Sequence, residues 1–297
     1  MAYRRHASGG GLMMRLAMLR PLLLTAPAAL VFLAFLLAPL FGTAMLSLHG
    51  FSMYTGIDGS YSAANYADLL GDEYFYGVFA RTMRIAVLTT LVTVLIGAPE
   101  AYIINRMRAP WRGIFLLVAL GPLLISVVSR TLGWAVLFGS TGVINQVMLA
   151  LGLISQPVAF MYTELGVVIA LTHVLVPFMV ISVMVSLQRL NPQIEQASYS
   201  LGSGTLRTLR RVILPQLLPG ILSGAIIVFT LASSAFATPQ IVGGRRLKVI
   251  ATLAYDEFLN TLNWPLGAAA AMILFVVVIA IVMLSNHLVE RRYSRTL

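Results

Sequence analysis

Few side chains in this 297-residue sequence are equipped for chemistry, and their spacing sorts them quickly. Cysteine is absent and the four histidines, His6, His49, His173 and His287, are scattered, so thiolate nucleophiles, disulfides and metal clusters are excluded. No G-x-x-x-x-G-K-[ST] loop, nucleophile elbow or His-Glu zinc motif occurs, which leaves the chain no route of its own to ATP or to hydrolysis. No catalytic residue, metal or cofactor is expected in it. What remains are polar groups set inside apolar runs, where an ionisable side chain is costly and marks function by default. Arg130, with Trp134 one turn later, gates a path, contacts an outside partner, or snorkels to the outer headgroups. Glu100, after Pro99, either pairs with a nearby inner arginine or serves transport. A helix N-terminus suffices to explain Glu164, which for a cationic solute would also serve as a vestibule acid. His173 reads as a packed, hydrogen-bonded residue rather than a proton relay. Ser233, Ser234 and Phe236 follow Gly220, Gly224 and Ala232, a small-residue pattern that serves either close helix packing or a solute path.

The second candidate is mechanical. Between two apolar runs lies a polar segment, Gln188–Gln216, in which Pro192 suits a first helical turn, Glu195 favours a helix N-terminus and Gly202 offers a stop. A helix of about two turns is expected there, then a bend. A second helix begins near Thr205, with Leu206, Leu209, Val212 and Ile213 at helical spacing, and runs past Pro215 into the next apolar run.

These residues must be held by a membrane bundle. Hydrophobic residues make up 59% of the chain and charged residues 10%, with a mean hydropathy of +0.90; an average soluble domain carries about 25% charge. Six stretches reach the roughly 20 apolar residues a spanning helix needs: Pro21–Leu48, Thr82–Ile104, Ile114–Phe138, Leu165–Leu187, Leu217–Ala237 and Leu266–Val289. Alternating strands of a barrel are missing, so the fold class is all-α, a polytopic transmembrane bundle. Residues 1–20 form a basic N-terminal segment, 21–289 the transmembrane domain with the loop 188–216, and 290–297 a tail. Segment Val147–Leu153 is too short to cross and lies at the outer face.

Charge sets the orientation. Arg4, Arg5, Arg15, Arg20, Arg106, Arg108, Arg112, Arg189, Arg207, Arg210, Arg211, Arg291, Arg292 and Arg295 fall on the side of the termini, fourteen against five for Arg81, Arg84, Arg245, Arg246 and Lys248. Both termini are therefore expected in the cytoplasm. The balance of +10 reads as these anchors and not as a nucleic-acid surface. The outer acids Asp68, Asp72, Glu73, Asp256 and Glu257 are candidates for docking an outside protein.

The polar segment resembles the coupling loop of permease subunits of binding-protein-dependent ABC importers, whose signature is Glu-Ala-Ala, then Gly, then apolar-x-Leu-Pro. Aligned on Gly202, Leu214 and Pro215 take the expected offsets. The glutamate position falls on Gln196, its alanines on Ala197 and Ser198, and Glu195 stands one residue early. Arg130-Thr131-x-Gly133-Trp134, Gly142-x-Ile144-Asn145, Val176-Pro177-Phe178, Thr238-Pro239-x-Ile241-x-Gly243-Gly244 and Asn263-Trp264-Pro265 are similar to the spermidine/putrescine-type branch. The resemblance implies a type I importer permease of the bacterial inner membrane, working with two cytoplasmic ATPase subunits that bind ATP and Mg, a second permease subunit as a homologous heterodimer partner, and an extracytoplasmic solute-binding protein. It implies that Glu195, Gln196, Ala197, Ser198, Gly202 and Pro215 couple to the ATPase, and that Arg130, Trp134, Ser233, Ser234 and Phe236 line or gate a path for a polyamine or related amino compound. The rival reading is an ion-coupled secondary transporter, which calls for midplane acids and discontinuous helices.

Overall fold

The computed structural model describes the backbone of residues 10–293 and the side chains of residues 25–287 and 291; residues 1–9 of the basic segment and 294–297 of the tail lie outside the described residues. In chain order the helices and strands are α1 (Gly10–Leu46), β1 (His49–Ser52), β2 (Gly56–Tyr61), α2 (Ala64–Gly71), α3 (Glu73–Arg106), α4 (Trp111–Leu120), α5 (Val127–Phe138), α6 (Val143–Ala150), α7 (Glu164–Gln188), α8 (Pro192–Ser200), α9 (Thr205–Thr208), α10 (Leu214–Ser233), α11 (Ile250–Leu259) and α12 (Trp264–Tyr293). Six helical stretches are long and apolar enough to cross a membrane.

Local signals place the ends of the main helices. The Asp72 carboxylate accepts from the Tyr74 N–H (2.9 Å) to open α3, and Thr163 accepts from the Gly166 N–H (3.2 Å) to open α7. Acids in the first turn, Glu73 and Glu164, complement each helix dipole. Helix α3 has 34 residues, about 51 Å at helical rise, so it outreaches a hydrocarbon core of about 30 Å. It begins nine residues before the expected start at Thr82.

The third expected span, Ile114–Phe138, is not one helix. Helix α4 ends at Leu120, a single 3₁₀ turn covers Gly121–Leu124, and Ile125 and Ser126 are extended before α5 begins. Pro122 is the cause. It has no N–H to return to the helix, and its ring crowds the carbonyl one turn earlier, although Gly121 before it keeps helical dihedrals.

The core is built on α3, α7 and α10. Ala101, Ile104, Met179, Val183, Leu187, Ile213, Leu217 and Val228 pack together toward one end. Glycines permit this approach: a Cβ on Gly97 would lie 2.9 Å from the Met179 side chain, and one on Gly220 would overlap the Ser186 hydroxyl and sit 2.8 Å from the Ser182 carbonyl oxygen. A Cβ on Gly224 would likewise lie 2.8 Å from the Met179 sulfur, so Gly97, Gly220 and Gly224 all serve close helix packing. At the other end, α2, α3, α11 and α12 share a cluster that includes Phe75, Val78, Ile250 and Ala270. Helix α1 differs, since none of its apolar window Thr25–Leu46 is buried within this chain.

Two buried asparagines fix the loops. Asn65 donates to the Ser47 and His49 carbonyls (2.9 and 2.7 Å), seating the antiparallel β1–β2 hairpin on α2. Asn145, fully buried at the start of α6, donates to the Gly139 and Val158 carbonyls and accepts from the Val158 N–H. The third stretch long and apolar enough to cross runs Val127–Ala150, so it includes α6 and lies later than the expected span Ile114–Phe138, and Val147–Ala150 of the segment expected to stay at the outer face falls within it.

Candidate functional site

Helix α8 forms where Pro192 and Gly202 place it. Asn191 caps it by accepting from the Gln193 N–H (2.9 Å), Pro192 fills the first turn, and Gly202 at φ +78 leaves the helix in a conformation that favours glycine. Its faces are unequal. Glu195 and Ser198 turn toward the bundle, half-buried, while Gln196 and Ala197 are exposed. Leu201 and Leu206, 88% and 77% exposed, flank the bend.

Two contacts hold the inward face. Arg106, the last residue of α3, donates through Nη2 to both Glu195 oxygens (2.5 and 2.6 Å), and its guanidinium lies 5.0 Å from the Tyr102 ring centroid. Ser198 shares a hydrogen bond of 2.9 Å with the buried Thr208 hydroxyl, closing the helix-bend-helix on itself. Glu195 is thus committed to α3, while Gln193, Gln196 and Ser200 remain exposed.

Past the bend the chain does not run straight into α10. A π turn at Leu209–Ile213 lies between α9 and α10, and Pro215 follows it inside a continuous helical stretch rather than at an exit. The wide turn relieves the backbone where Pro215 supplies no N–H.

The five candidate path residues separate into two groups. Arg130 is 9% exposed and does not snorkel outward; its Nη1 donates to the Pro122 carbonyl at the break in the third span. That carbonyl has lost its helical partner, so the guanidinium repairs the discontinuity. Trp134 donates from its indole N–H to His173 Nδ1 (3.2 Å) and packs on Phe138 (ring centroids 4.9 Å apart). In the second group, Ser233 and Ser234 return their hydroxyls to the Phe229 and Thr230 carbonyls of their own helix. Phe236 packs against Tyr255, with ring centroids 4.6 Å apart. A hydrogen bond of 3.3 Å between the Thr131 and Thr238 hydroxyls links the two regions.

Ionic contacts complete the picture at the end of the bundle opposite α8. Arg84 clasps Glu164 through two nitrogens, with Nε to Oε2 at 2.8 Å, and Arg81 Nε lies 3.7 Å from the same carboxylate. Lys248 pairs with Asp256 at 2.6 Å, and that hydrogen bond raises the lysine pKa. Three of the candidate docking acids have local work: Asp72 caps α3, Asp256 holds Lys248, and Glu257 accepts from Thr261.

Glu100 has no ion pair among the described residues, so the expected arginine partner is missing. It lines a cavity of about 480 Å³ bounded by α3, the broken third span and α7, together with Trp134, Thr172 and His173. Sequence reasoning singled out Glu100 and His173 separately. It gave no sign that they share a wall with Thr172.

A sequence model of the family described as binding-protein-dependent transport system inner membrane component matches residues 11–295. The chain belongs to this family. The permease is 30% identical over 237 residues to the spermidine/putrescine transport system permease protein PotB of Escherichia coli (strain K12), covering 78% of this chain and 86% of that one. In fold it is similar to a chain of a bacterial ABC transporter involved in the import of the acidic polysaccharide alginate, with a TM-score of 0.76, 21% identity and coverage of 94% and 99%. A second alginate transporter structure, in complex with an alginate pentasaccharide-bound periplasmic protein, matches with a TM-score of 0.73, 23% identity and coverage of 97% and 98%. The permease is thus the multi-pass inner-membrane component of an ABC importer. ATP hydrolysis belongs to separate subunits, and no support exists for an ion-coupled secondary transporter.

Proposed function

We propose that this permease carries a polyamine or a related amino compound, delivered by a solute-binding protein, across the inner membrane, and that α8 is the element through which a partner ATPase drives it. The observation that carries the coupling part is the division of α8 into two faces. Glu195 and Ser198 are tied to the bundle, while Gln196, Ala197, Leu201 and Leu206 remain uncovered in this chain. An apolar pair flanking a tight glycine bend is a surface that needs a partner. Two ATPase subunits holding ATP and Mg, and a second permease subunit, complete the assembly. Their closure would move α8 as a rigid lever and so rotate α7 and α10, to which it is joined. The excess of arginine at the α8 end supports cytoplasmic termini.

The amine reading is supported by the PotB relative. The alginate importers share the fold while their cargo is an acidic polysaccharide, so the fold alone does not choose the solute. The test is direct. Deleting 195–202, or introducing Gly202→Pro, is expected to abolish capture of the ATPase subunit and ATP-dependent uptake of spermidine or putrescine in proteoliposomes. Assembly and uptake that survive the deletion would refute the coupling role.

A further inference from the structure

We infer that the slot between α3, the broken third span and α7 is a subsite for an amine-bearing solute, with Glu100 as its anion; this deepens the amine reading above and rests on it. Direction comes first. Arg84 of α3 meets Glu164 at the start of α7, and Arg106 at the end of α3 meets Glu195 just beyond the end of α7. The two helices therefore run the same way. Val92, Ile96 and Glu100 line the slot from α3 at i, i+4 and i+8, a wall about 12 Å long at helical rise. Glu100 closes one end, and the Trp134–His173 pair stands at the other.

The chemistry of the lining points to a cation with an apolar body. Glu100 is half-buried and has no cationic partner among the described residues. An unpaired carboxylate within a membrane span is costly, and a ligand bringing its own ammonium group offsets that cost. Thr172, 4% exposed, lies in the wall, and its buried hydroxyl has no hydrogen-bond partner, a state it shares with Thr89 and Thr93 of α3. Trp134 has its N–H occupied by His173, so it offers the slot its ring, a surface suited to methylenes or to a second ammonium. Arg130 is not among the lining residues, but its guanidinium is turned onto the carbonyl of Pro122, which is one of them, so this cation stands behind the slot wall by no more than the thickness of that turn. The break at Gly121–Ser126 gives the slot its shape, because a continuous helix through Pro122 would present a different wall there.

The experiment uses the complete transporter with its binding protein in proteoliposomes, with radiolabelled spermidine and putrescine as probes. Glu100→Gln keeps the shape and removes the charge. Its uptake is expected to fall about tenfold or more, the size of a lost charge-assisted contact, while ATP hydrolysis stimulated by the loaded binding protein stays within about twofold of the parent. Glu100→Asp is expected to recover part of the uptake. Thr172→Val, which removes a buried hydroxyl without a partner, is expected to leave thermal stability undiminished and serves as the control for a change in the wall that leaves the charge in place. Undiminished uptake in Glu100→Gln would overturn the slot alone. So would parallel loss of uptake, stimulated hydrolysis and thermal stability, the mark of a purely structural residue. A parent transporter that takes up neither amine would overturn the amine reading, and the slot's ligand with it.

Discussion

Replacing Arg106 by alanine cuts the one ionic link between α3 and the coupling helix, and the size of the effect follows from the site. The Arg106 side chain is 46% exposed and that of Glu195 20%, so water screens the pair and its worth falls in the range of exposed ion pairs, about 0.5–1 kcal/mol. The guanidinium over Tyr102 adds about 0.5 kcal/mol. A loss of about 1 kcal/mol changes an equilibrium about fivefold. The fraction of transporters in which α8 moves as one body with α3 is expected to fall by that factor. The assay is uptake per ATP hydrolysed in proteoliposomes. Arg106→Ala should lower that ratio about fivefold at low ionic strength, Glu195→Gln, which keeps the Tyr102 contact, about two- to fivefold, and both together should do no worse than Arg106→Ala alone. The charge swap Arg106→Glu with Glu195→Arg should restore part of it. Raising the salt should narrow the gap, since the screening length shrinks to about 8 Å at physiological ionic strength. Additive losses in the double variant, or an unchanged ratio in the single variants, would refute the reasoning.

Other outcomes follow from packing and charge. Gly220→Ala forces a Cβ against the Ser186 hydroxyl and the Ser182 carbonyl, an overpacking expected to cost about 1–3 kcal/mol and to lower the thermal midpoint in detergent; an unchanged midpoint contradicts the close approach. Asn145→Ala removes three hydrogen bonds from the loop between α5 and α7, with an expected loss of about 2–3 kcal/mol. Faster proteolytic nicking within residues 139–162 is the readout, and equal nicking rates would count against it. Lys248 has its pKa raised by Asp256; the folded value then exceeds the unfolded one, so the pair's stabilisation is fully present below the ordinary lysine range and lost as pH rises through the folded value. The stability gap between the parent and Lys248→Met is therefore expected to be flat near neutrality and to close only at strongly alkaline pH, and a gap that closes near neutral pH would rule out this assignment.

What the sequence made legible was local. Pro192 and Gly202 mark the two ends of α8 by backbone chemistry that needs no distant partner, and the apolar runs announce the spans through hydropathy. The break in the third span was half visible. Gly121-Pro122 is a turn signal, but a hydropathy window adds transfer energies and is blind to a missing N–H, so 114–138 read as one helix. Arg130 then read as a residue in search of headgroups, because the carbonyl it satisfies exists only once the helix is broken. The link between Arg106 and Glu195 spans 89 positions, beyond any spacing rule. Glu100 was visible as an acid after a proline, but its lack of a counterion is a property of the neighbouring helices and could not be read from its own segment.

The π turn at Leu209–Ile213 carries a consequence of phase. One extra residue in a helical turn rotates everything before it by about 100° relative to everything after it. The orientation of the α8 bend about the axis of α10 is therefore set by a count of residues as well as by contacts. Deleting a single residue from this turn would leave composition and charge almost unchanged, yet it would swing Leu201 and Leu206 by more than a quarter of a circle and aim them at a different partner surface.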